Sequence, residues 1–417
     1  MISNFKLKPD TSWDFRQEDT KYYSHCFHNY PAMMIPQVAS RLIDLYGKNA
    51  KILFDPYCGT GTSLVEANIR NINAIGTDIN PLARLISKVK TTPIFLEKLH
   101  LEILNFRNCL SHYFMNIPID FDTPDFNNIL YWFSEEVITK LSVIKKFIYE
   151  IENNNIKNFF RVCFSETIRD CSWTRNGEFK LYRMTDKQIK NFSPDVFSVI
   201  LNKISRNLKG LEIYQNAKKN MSSSEVYDFN SVKSIPDTII PDNSIDLVVT
   251  SPPYGDSRTT VAYGQFSRLS NQWLDVSNAS EIDKISMGGT NNKNLTKYNF
   301  KPLDNVIEDI LKIDSKRAFE VNAFYHDYLK SINNISKKIK PFGYVCYVVG
   351  NRTVKSFNLP TDKITQFFFE NNNFSHIYTY IRNIPNKRMP SKNSPTNITG
   401  EIGNTMLNEY IVVLQKK

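Results

Sequence analysis

A run of apolar residues at 50–54 (AKILF) leads directly into a glycine-containing turn, DPYCGTGT, and helical spacing begins immediately after it. Leu64, Ala67 and Ile69 recur at intervals that place apolar side chains on one face of a helix. A second apolar run follows at 73–78, and another helical pattern follows at 81–89. Strand, helix, strand and helix in this order predict a βαβ unit, which requires a parallel sheet covered by helices.

The turn after the first strand has the composition of a ligand-binding loop. Gly59 and Gly61 lack side chains, so a ligand can approach the backbone while the N-terminus of the helix points at it. Asp78 ends the second strand, where a carboxylate can bind a ribose diol. The turn is not a complete dinucleotide fingerprint, because Leu64 stands at the third small position, and it is not a P-loop. The pattern predicts a nucleoside site, with an ordinary glycine-rich turn as the alternative.

The rest of the chain divides by its pattern. Residues 96–223 contain long amphipathic stretches with almost no strand signal. Strand patterns return at 225–229, 245–250, 344–349, 375–384 and 409–415, whereas residues 270–305 are polar and rich in asparagine. We therefore predict a doubly wound, Rossmann-like α/β sheet with a mainly helical insertion. The predicted catalytic domain comprises residues 1–95, 224–269 and 306–417, the helical insertion residues 96–223, and a polar loop insertion residues 270–305.

A second motif, Thr250-Ser251-Pro252-Pro253-Tyr254, lies at the C-terminal end of a predicted strand, where open α/β sheets bind their ligands. Two consecutive prolines cannot continue a strand ladder, so they form a rigid turn with outward carbonyl groups. The Ser251 hydroxyl and the Pro252 carbonyl are hydrogen-bond acceptors, and the Tyr254 ring is a stacking surface. This set suits a planar base with an exocyclic amine. The alternative is an ordinary Pro-Pro turn with a packing tyrosine.

Basic residues outnumber acidic ones by 52 to 42, which gives a formal net charge of +10. Such a charge attracts polyanions, although a coding bias toward lysine produces the same excess without any partner. Residues 175–183 (RNGEFKLYR) alternate basic and aromatic side chains, as a surface that contacts phosphates and stacks on bases does. A solvated hairpin is the alternative there. Arg258 and Arg268 follow the Pro-Pro turn, so they could line a base pocket or simply begin an amphipathic helix.

Cysteine usage and hydropathy bear on the compartment. The six cysteines are scattered without CxxC spacing, which predicts buried thiols in a reducing environment. Neither a signal peptide nor a long uncharged apolar run is evident, so we expect a cytoplasmic protein. His25, Cys26 and His28 lie close together without a fourth ligand at zinc-finger spacing, and no metal is expected.

Together, the two motifs resemble those of the S-adenosylmethionine-dependent DNA amino-methyltransferases, specifically the members that methylate cytosine N4. DPYCGTGT is similar to the family's cofactor loop, and TSPPY is similar to its catalytic motif with serine in the first position. Residues 27–34 (FHNYPAMM) look like the segment that covers the methionine end of the cofactor. Asp228 and Phe229 are similar to the pair that contacts the adenine, and residues 344–352 and 386–390 (NKRMP) look like later motifs.

The resemblance implies S-adenosylmethionine as the cofactor and double-stranded DNA, with the target base flipped out, as the substrate. A cognate restriction endonuclease is an expected partner, and the oligomeric state is open. Catalytic roles are implied for Ser251, Pro252, Pro253 and Tyr254. We expect cofactor binding by Tyr30, Pro31, Ala32, Asp55, Tyr57, Cys58, Gly59, Gly61, Thr62, Asp78, Asn80, Asp228 and Phe229. We expect DNA contacts from Arg175, Lys180, Arg183, Arg258, Arg268, Lys387 and Arg388.

Other activities remain open at this point. Adenine N6-methylation would use the same motifs, and only Ser251, in place of an acidic or amide residue, favours cytosine. RNA and protein-glutamine methyltransferases tend to carry asparagine before Pro-Pro-Tyr. Methylation of a ring carbon needs a cysteine nucleophile, usually one that follows a proline, and none of the six cysteines of this chain follows a proline. A nicotinamide-dependent oxidoreductase would need a third glycine at Leu64, and a catalytically silent DNA-binding protein would carry a damaged motif. Because the large insertion precedes Asp228, unlike in the family's common layouts, either insertion could read the DNA sequence.

Overall fold

A seven-stranded sheet lies at the centre of the fold. The computed structural model describes residues 8–218, 221–257, 260–290, 294–384, 392–393, 403–404 and 406–417. The strands within these residues are β1 Ile52–Asp55, β2 Asn73–Thr77, β3 Ser224–Tyr227, β4 Ile245–Thr250, β5 Ile339–Val349, β6 Arg352–Val354, β7 Phe357–Leu359, β8 Phe374–Asn383, β9 Lys392–Asn393, β10 Gly403–Asn404 and β11 Asn408–Lys416.

The order of strands in the sheet is β3-β2-β1-β4-β5-β11-β8. Strands β3, β2, β1, β4 and β5 run parallel, whereas β11 pairs antiparallel with both β5 and β8. β6 pairs with β7, and β9 pairs with β10, as separate two-stranded units. Every strand of the large sheet overlaps a stretch that the sequence predicts as a strand, although β5 begins five residues earlier than predicted, and the predicted α/β fold class is confirmed.

Helices cover both faces of the sheet. The α-helices are α1 Pro36–Tyr46, α2 Thr62–Ile69, α3 Pro81–Thr91, α4 Leu96–Phe114, α5 Ile129–Trp132, α6 Glu135–Glu150, α7 Asn154–Cys171, α8 Asp186–Lys190, α9 Val196–Ala217, α10 Tyr263–Trp273, α11 Ile282–Ile285, α12 Lys301–Ile313, α13 Ser315–Lys338 and α14 Thr361–Glu370. Within the described part of the chain, no helix is both long and apolar enough to cross a membrane.

The alternation of side chains along β4 shows why the sheet needs helices on both sides. Leu247 and Val249 pack with α1, whereas Val248, which points to the opposite face, packs with Tyr328 and Ile332 of α13. Central parallel strands are apolar on both faces for this reason. The predicted parallel sheet and its helical layers therefore follow from the apolar composition of its strands.

Residues 96–223 are mainly helical, but they do not have a core of their own. Phe159 and Phe160 of α7 belong to one apolar cluster with Ile86 of α3 and Trp273 of α10, both outside the insertion. The buried side chains of α7 surround the helix instead of forming one stripe. The division of the chain at residue 96 remains a prediction, and the two parts pack against each other through a shared core.

Candidate active site

A cavity opens where strands β1, β2 and β4 end, at the carboxyl edge of the parallel sheet. This is the edge at which open α/β sheets bind ligands. The cavity has an empty volume of about 1010 Å³, including the part that is open to solvent. The sequence-predicted residues in its wall are Tyr30, Pro31, Ala32, Asp55, Tyr57, Cys58, Gly59, Thr62, Asp78, Asn80, Phe229, Ser251 and Pro253. The fold thus brings the loop after β1, the end of β2 and the motif after β4 to one place.

Some predicted site residues lie outside the cavity wall. Asp228 is exposed to solvent, and Pro252 is buried. The Tyr254 hydroxyl is directed at Glu409 and donates a 3.0 Å hydrogen bond to its carboxylate. Gly61 also lies outside the wall, since the space beside its Cα is taken by Ser87 of α3.

The cavity wall also contains residues to which the sequence analysis gave no individual role. They come mainly from segments whose position depends on tertiary packing: Met33, Met34, Thr60, Ile79, Asn230, Ser231, Val232, Tyr263, Ile282, Ser286 and Met287. Thr60 lies between the two loop glycines, and the two methionines lie in the FHNYPAMM segment, so their neighbours could have identified them. Tyr263, Ile282 and Met287 carry no such local signal.

Asp55 holds the loop after β1 in place. Its carboxylate accepts hydrogen bonds from the Ser63 hydroxyl, the Thr250 hydroxyl at 2.5 Å and the Tyr57 backbone N–H at 3.1 Å. Burial raises the pKa of Asp55 to about 6, although these donors favour its ionised form. Thr250 directly precedes Ser251, so its hydrogen bond to Asp55 connects the loop at 55–62 to the TSPPY motif.

Asp78 orders the same loop from the end of β2. One carboxylate oxygen accepts a 3.1 Å hydrogen bond from the Gly59 N–H, and the other accepts a 2.7 Å bond from the Asn80 N–H. Burial raises the pKa of Asp78. Each carboxylate oxygen can accept a further hydrogen bond, so Asp78 can also receive hydroxyl groups from a ligand in the cavity.

Asn80 connects the start of α3 to Tyr30 and to α10. Its side-chain oxygen caps α3 by accepting from the Leu82 N–H at 3.2 Å. Its amide nitrogen donates to the Tyr30 hydroxyl at 2.8 Å and to the Ser267 hydroxyl at 3.0 Å. The Tyr30 ring stacks on the Tyr263 ring with 5.9 Å between centroids. Asn80 therefore positions an aromatic pair in the wall.

The two loop glycines serve different purposes, and this difference can be tested. A Cβ at Gly61 would lie 2.3 Å from the Ser87 hydroxyl oxygen, and the φ of +77° also disfavours a side chain. We expect Gly61→Ala to lower the free energy of unfolding by about 2–4 kcal/mol through overpacking and backbone strain, as measured by urea denaturation.

Gly59→Ala is the matched control for this prediction. Its φ is +49°, but no atom lies within 4 Å of the added Cβ, so we expect a smaller stability loss of about 1 kcal/mol. The Cβ would reduce the space beside the loop backbone, so ligand affinity should fall instead. Equal stability losses in the two variants would contradict this division of roles.

Ser251 is the polar group of the second motif that reaches the cavity. Its hydroxyl donates a 3.1 Å hydrogen bond to the Val348 carbonyl on the neighbouring strand β5. A hydroxyl has one proton and two acceptor lone pairs, so this donation leaves Ser251 as an acceptor toward the cavity. An acceptor at that position suits a ligand that carries N–H groups.

The residues predicted to contact DNA occupy different environments. Arg175 is exposed, and residues 174 and 183 form an isolated antiparallel bridge, as in a hairpin. The Arg183 guanidinium lies over the Tyr131 and Trp173 rings and pairs with Asp186 at 3.4 Å. Lys180 and Arg268 are half-buried, the latter on α10. Arg258, Lys387 and Arg388 lie outside the described residues.

The residues at 174–183 are tied to the helix that follows the second motif. Arg169 of α7 donates to the Glu178 carbonyl at 2.7 Å and to the Phe266 carbonyl of α10 at 3.2 Å. Its guanidinium lies 4.1 Å from the centroid of the Phe266 ring. The Leu181 N–H donates to the side chain of Gln265 at 3.3 Å. The exposed basic loop is therefore attached to α10, whose first residue, Tyr263, lines the cavity.

Comparison with known proteins gives a consistent set of relatives. The sequence profile of the DNA methylase family matches residues 3–88. The chain is 42% identical over 423 residues to the Type II methyltransferase M.MvaI of Kocuria varians, and the alignment covers 96% of this chain and 93% of that protein. It is 30% identical over 137 residues to the Type II methyltransferase M.MjaII of Methanocaldococcus jannaschii, covering 32% of this chain and 26% of that protein.

The matches among solved structures are more distant. A SAM-dependent methyltransferase from Methanosarcina mazei covers 90% of this chain and 96% of its own, at 10% identity and a TM-score of 0.33.

Proposed function

This chain belongs to the N6/N4 family of DNA methylases, and from that membership we propose that it methylates the N4 amine of cytosine in double-stranded DNA. The proposal includes a role as the modification enzyme of a restriction–modification system, with an endonuclease of the same specificity as its partner. The observation that carries the cytosine assignment is the residue type at position 251, a serine in place of an acidic or amide residue, and this serine lies at the cavity wall with its hydroxyl bonded to the Val348 carbonyl.

The cofactor of this family is S-adenosylmethionine, and the wall of the cavity fits it. Asp78 is a half-buried carboxylate with acceptor capacity for a ribose diol, and the open space beside Gly59 admits a ligand against the loop backbone. Phe229, Ile79 and Met287 supply apolar wall for the adenine and the methylene groups. When bound, S-adenosylmethionine supplies a methyl group whose bond to the positively charged sulfur breaks as the amine nitrogen forms its new bond.

The protein's task is then to place an amine nitrogen and to shape its electron density. In our proposal, Ser251 Oγ and the Pro252 carbonyl accept the two amino hydrogens, which shifts lone-pair density from the ring onto the nitrogen. The nitrogen loses one proton to solvent after it gains the methyl group. Tyr254 stacks on the base, which must leave the duplex because the methyl donor cannot reach a nitrogen inside the base stack. Alignment of two reactants in this way lowers the barrier without a strong base.

The methylated base itself tests this proposal. The chain is expressed in a host whose DNA lacks amino-methylated bases, and the DNA is digested to nucleosides and analysed by mass spectrometry. We expect N4-methylcytosine, and we expect its amount to fall sharply with the Ser251→Ala variant expressed at the same level. N6-methyladenine instead would assign the chain to the adenine branch of the family. The absence of both bases would favour a silent DNA-binding protein.

The partly exposed basic loop at 175–183 is our candidate for a DNA contact. The logarithm of DNA affinity should fall linearly with the logarithm of salt concentration, since bound counterions are released from the phosphates. We expect Arg175→Ala to reduce that slope by about one unit, as measured by fluorescence anisotropy. Arg183→Ala tests the other predicted contact of this loop. The Arg183 guanidinium already lies over the Tyr131 and Trp173 rings and pairs with Asp186, so we expect a smaller change in slope than for Arg175→Ala. Equal slopes for Arg175→Ala and the parent protein would move the contact to another segment.

A further inference from the structure

A buried charged network lies behind the catalytic motif, and the proposed chemistry does not yet use it. The Tyr254 hydroxyl donates to Glu409 Oε1 at 3.0 Å, and Glu409 Oε2 accepts from Arg382 at 2.5 Å. Glu409 lies near the start of β11 and Arg382 near the end of β8. The side chains of Arg382 and Glu409 are about 6% and 17% exposed. Hydrogen bonds thus link the turn at 251–254 to β11 and, through Glu409, to β8, both far from it in sequence.

Arg382 engages one carboxylate oxygen of Glu409 and leaves the other to face Tyr254. Its Nε donates to the Trp13 carbonyl at 2.9 Å, and its Nη2 donates to the Asp14 carbonyl at 3.4 Å, so its orientation is set by the N-terminal segment. Arginine has only donors, and its Nη1 therefore requires an acceptor at residue 409. The two carboxylate oxygens of glutamate satisfy this demand and still leave an acceptor for Tyr254.

The Ser251 oxygen lies close enough to Tyr254 for the direction of this bond to matter. Ser251 Oγ is 3.4 Å from the Tyr254 hydroxyl oxygen and 3.1 Å from the Val348 carbonyl oxygen. If the Tyr254 proton pointed at Ser251, it would occupy one of the two lone pairs that the serine offers. An acceptor at Glu409 draws that proton to the other side.

We propose that Glu409 is a positioning residue that sets the direction of hydrogen bonding at the catalytic serine. By accepting the Tyr254 proton, it prevents the tyrosine from donating to Ser251 and keeps the serine lone pair available for the amino group of the target base. The same bond orients the Tyr254 ring before the base arrives. This inference rests on the proposed methylation of an amine at Ser251.

The Glu409→Gln variant reverses the bond with little change in shape. Because Arg382 still needs an acceptor, the amide oxygen turns to the guanidinium and the amide nitrogen turns to Tyr254. The nitrogen then donates to the Tyr254 oxygen, and the tyrosine proton is directed at Ser251. We expect kcat to fall about 10-fold, the effect of one lost hydrogen bond of about 1.4 kcal/mol, with cofactor affinity unchanged.

A second substitution separates this role from a structural one. Tyr254→Phe removes the competing proton while keeping the stacking ring, so adding it to Glu409→Gln should raise kcat about 3-fold or more above the Glu409→Gln single variant. Glu225→Gln is the matched control, since Glu225 accepts from Tyr227 on the far edge strand β3. That control should leave kcat unchanged. Losses that multiply in the double variant, or an unchanged kcat in Glu409→Gln, would overturn the proposal.

A spectroscopic readout keeps the inference distinct from the proposed function. In protein labelled with ¹³C at tyrosine Cζ, the Tyr254 signal is assigned by its loss in Tyr254→Phe. Donation to a carboxylate shifts this carbon downfield, so Glu409→Gln should move the signal upfield. An unmoved signal overturns the hydrogen-bond assignment even if DNA is methylated. A moved signal in a protein that methylates no amine would instead overturn the proposed function.

Discussion

Replacing Ser251 by alanine is expected to lower kcat about 10²-fold, or about 3 kcal/mol, while cofactor affinity and stability stay close to those of the parent. The side chain offers an acceptor to the cavity and donates to Val348, and its removal leaves the Pro-Pro turn and the loop after β1 intact. Methyl incorporation into DNA at saturating substrate gives kcat, and calorimetry gives the cofactor affinity.

Ser244→Ala provides a control on the same segment of chain. Ser244 lies just before β4, at the opposite end from Ser251, and its hydroxyl donates to the Pro241 carbonyl at 2.6 Å. This variant should methylate DNA at the parental rate. A Ser251→Ala protein that folds, binds cofactor and retains the parental kcat would mean that TSPPY is only a turn.

The second large effect is expected at Glu166 of α7. This residue links the helical insertion to residues 27–34, part of which lines the cavity. Its carboxylate accepts from Arg206 at 2.6 Å and from the Asn29 N–H at 3.2 Å, and Lys203 lies 3.3 Å away. Glu166→Gln leaves Arg206 without its counter-charge, whereas Lys203 keeps Asp170 at 2.6 Å. We therefore expect a loss of about 3 kcal/mol in the free energy of unfolding, measured by urea denaturation.

Lowering the pH should also reduce the free energy of unfolding of the parent protein. Burial alone would raise the pKa of Glu166, but His28 and the hydrogen bond and charge of Arg206 lower it to about 2, below the ordinary value of 4.5. The native state therefore holds its proton more weakly than the unfolded state. The stabilisation is complete above pH 4.5 and is lost as the pH falls toward 2, by about 3 kcal/mol in total.

The difference between the parent and Glu166→Gln reports the contribution of Glu166 together with its charge interaction with His28. His28 has a pKa lowered to about 4, chiefly by burial, so it adds its own loss of stability as the pH falls from 6.5 to 4. Both proteins contain His28, and below pH 4.5 their unfolding free energies should converge. Parallel curves down to pH 3 would contradict the assigned role of Glu166.

The elements that could be predicted from the sequence are those with a local physical signature. The strands of the large sheet are short apolar runs, and the loop at 55–62 and the turn at 251–254 have compositions that only a few backbone conformations accept. Asp78 at the end of β2 follows from the βαβ pattern itself. These features depend on neighbours along the chain, and so the sequence alone determined them.

Other features depend on residues that meet only after folding. Gly61 is required by Ser87 of α3, and the Tyr254 hydroxyl is directed by Glu409 on β11. The helical insertion shares a core with α3 and α10, and the Arg183 side chain is held by Tyr131 and Trp173. Hydrophobic periodicity states which face of an element is buried but not which partner covers it. The partners were decided by the tertiary structure, because side-chain contacts between distant segments exist only once those segments pack together.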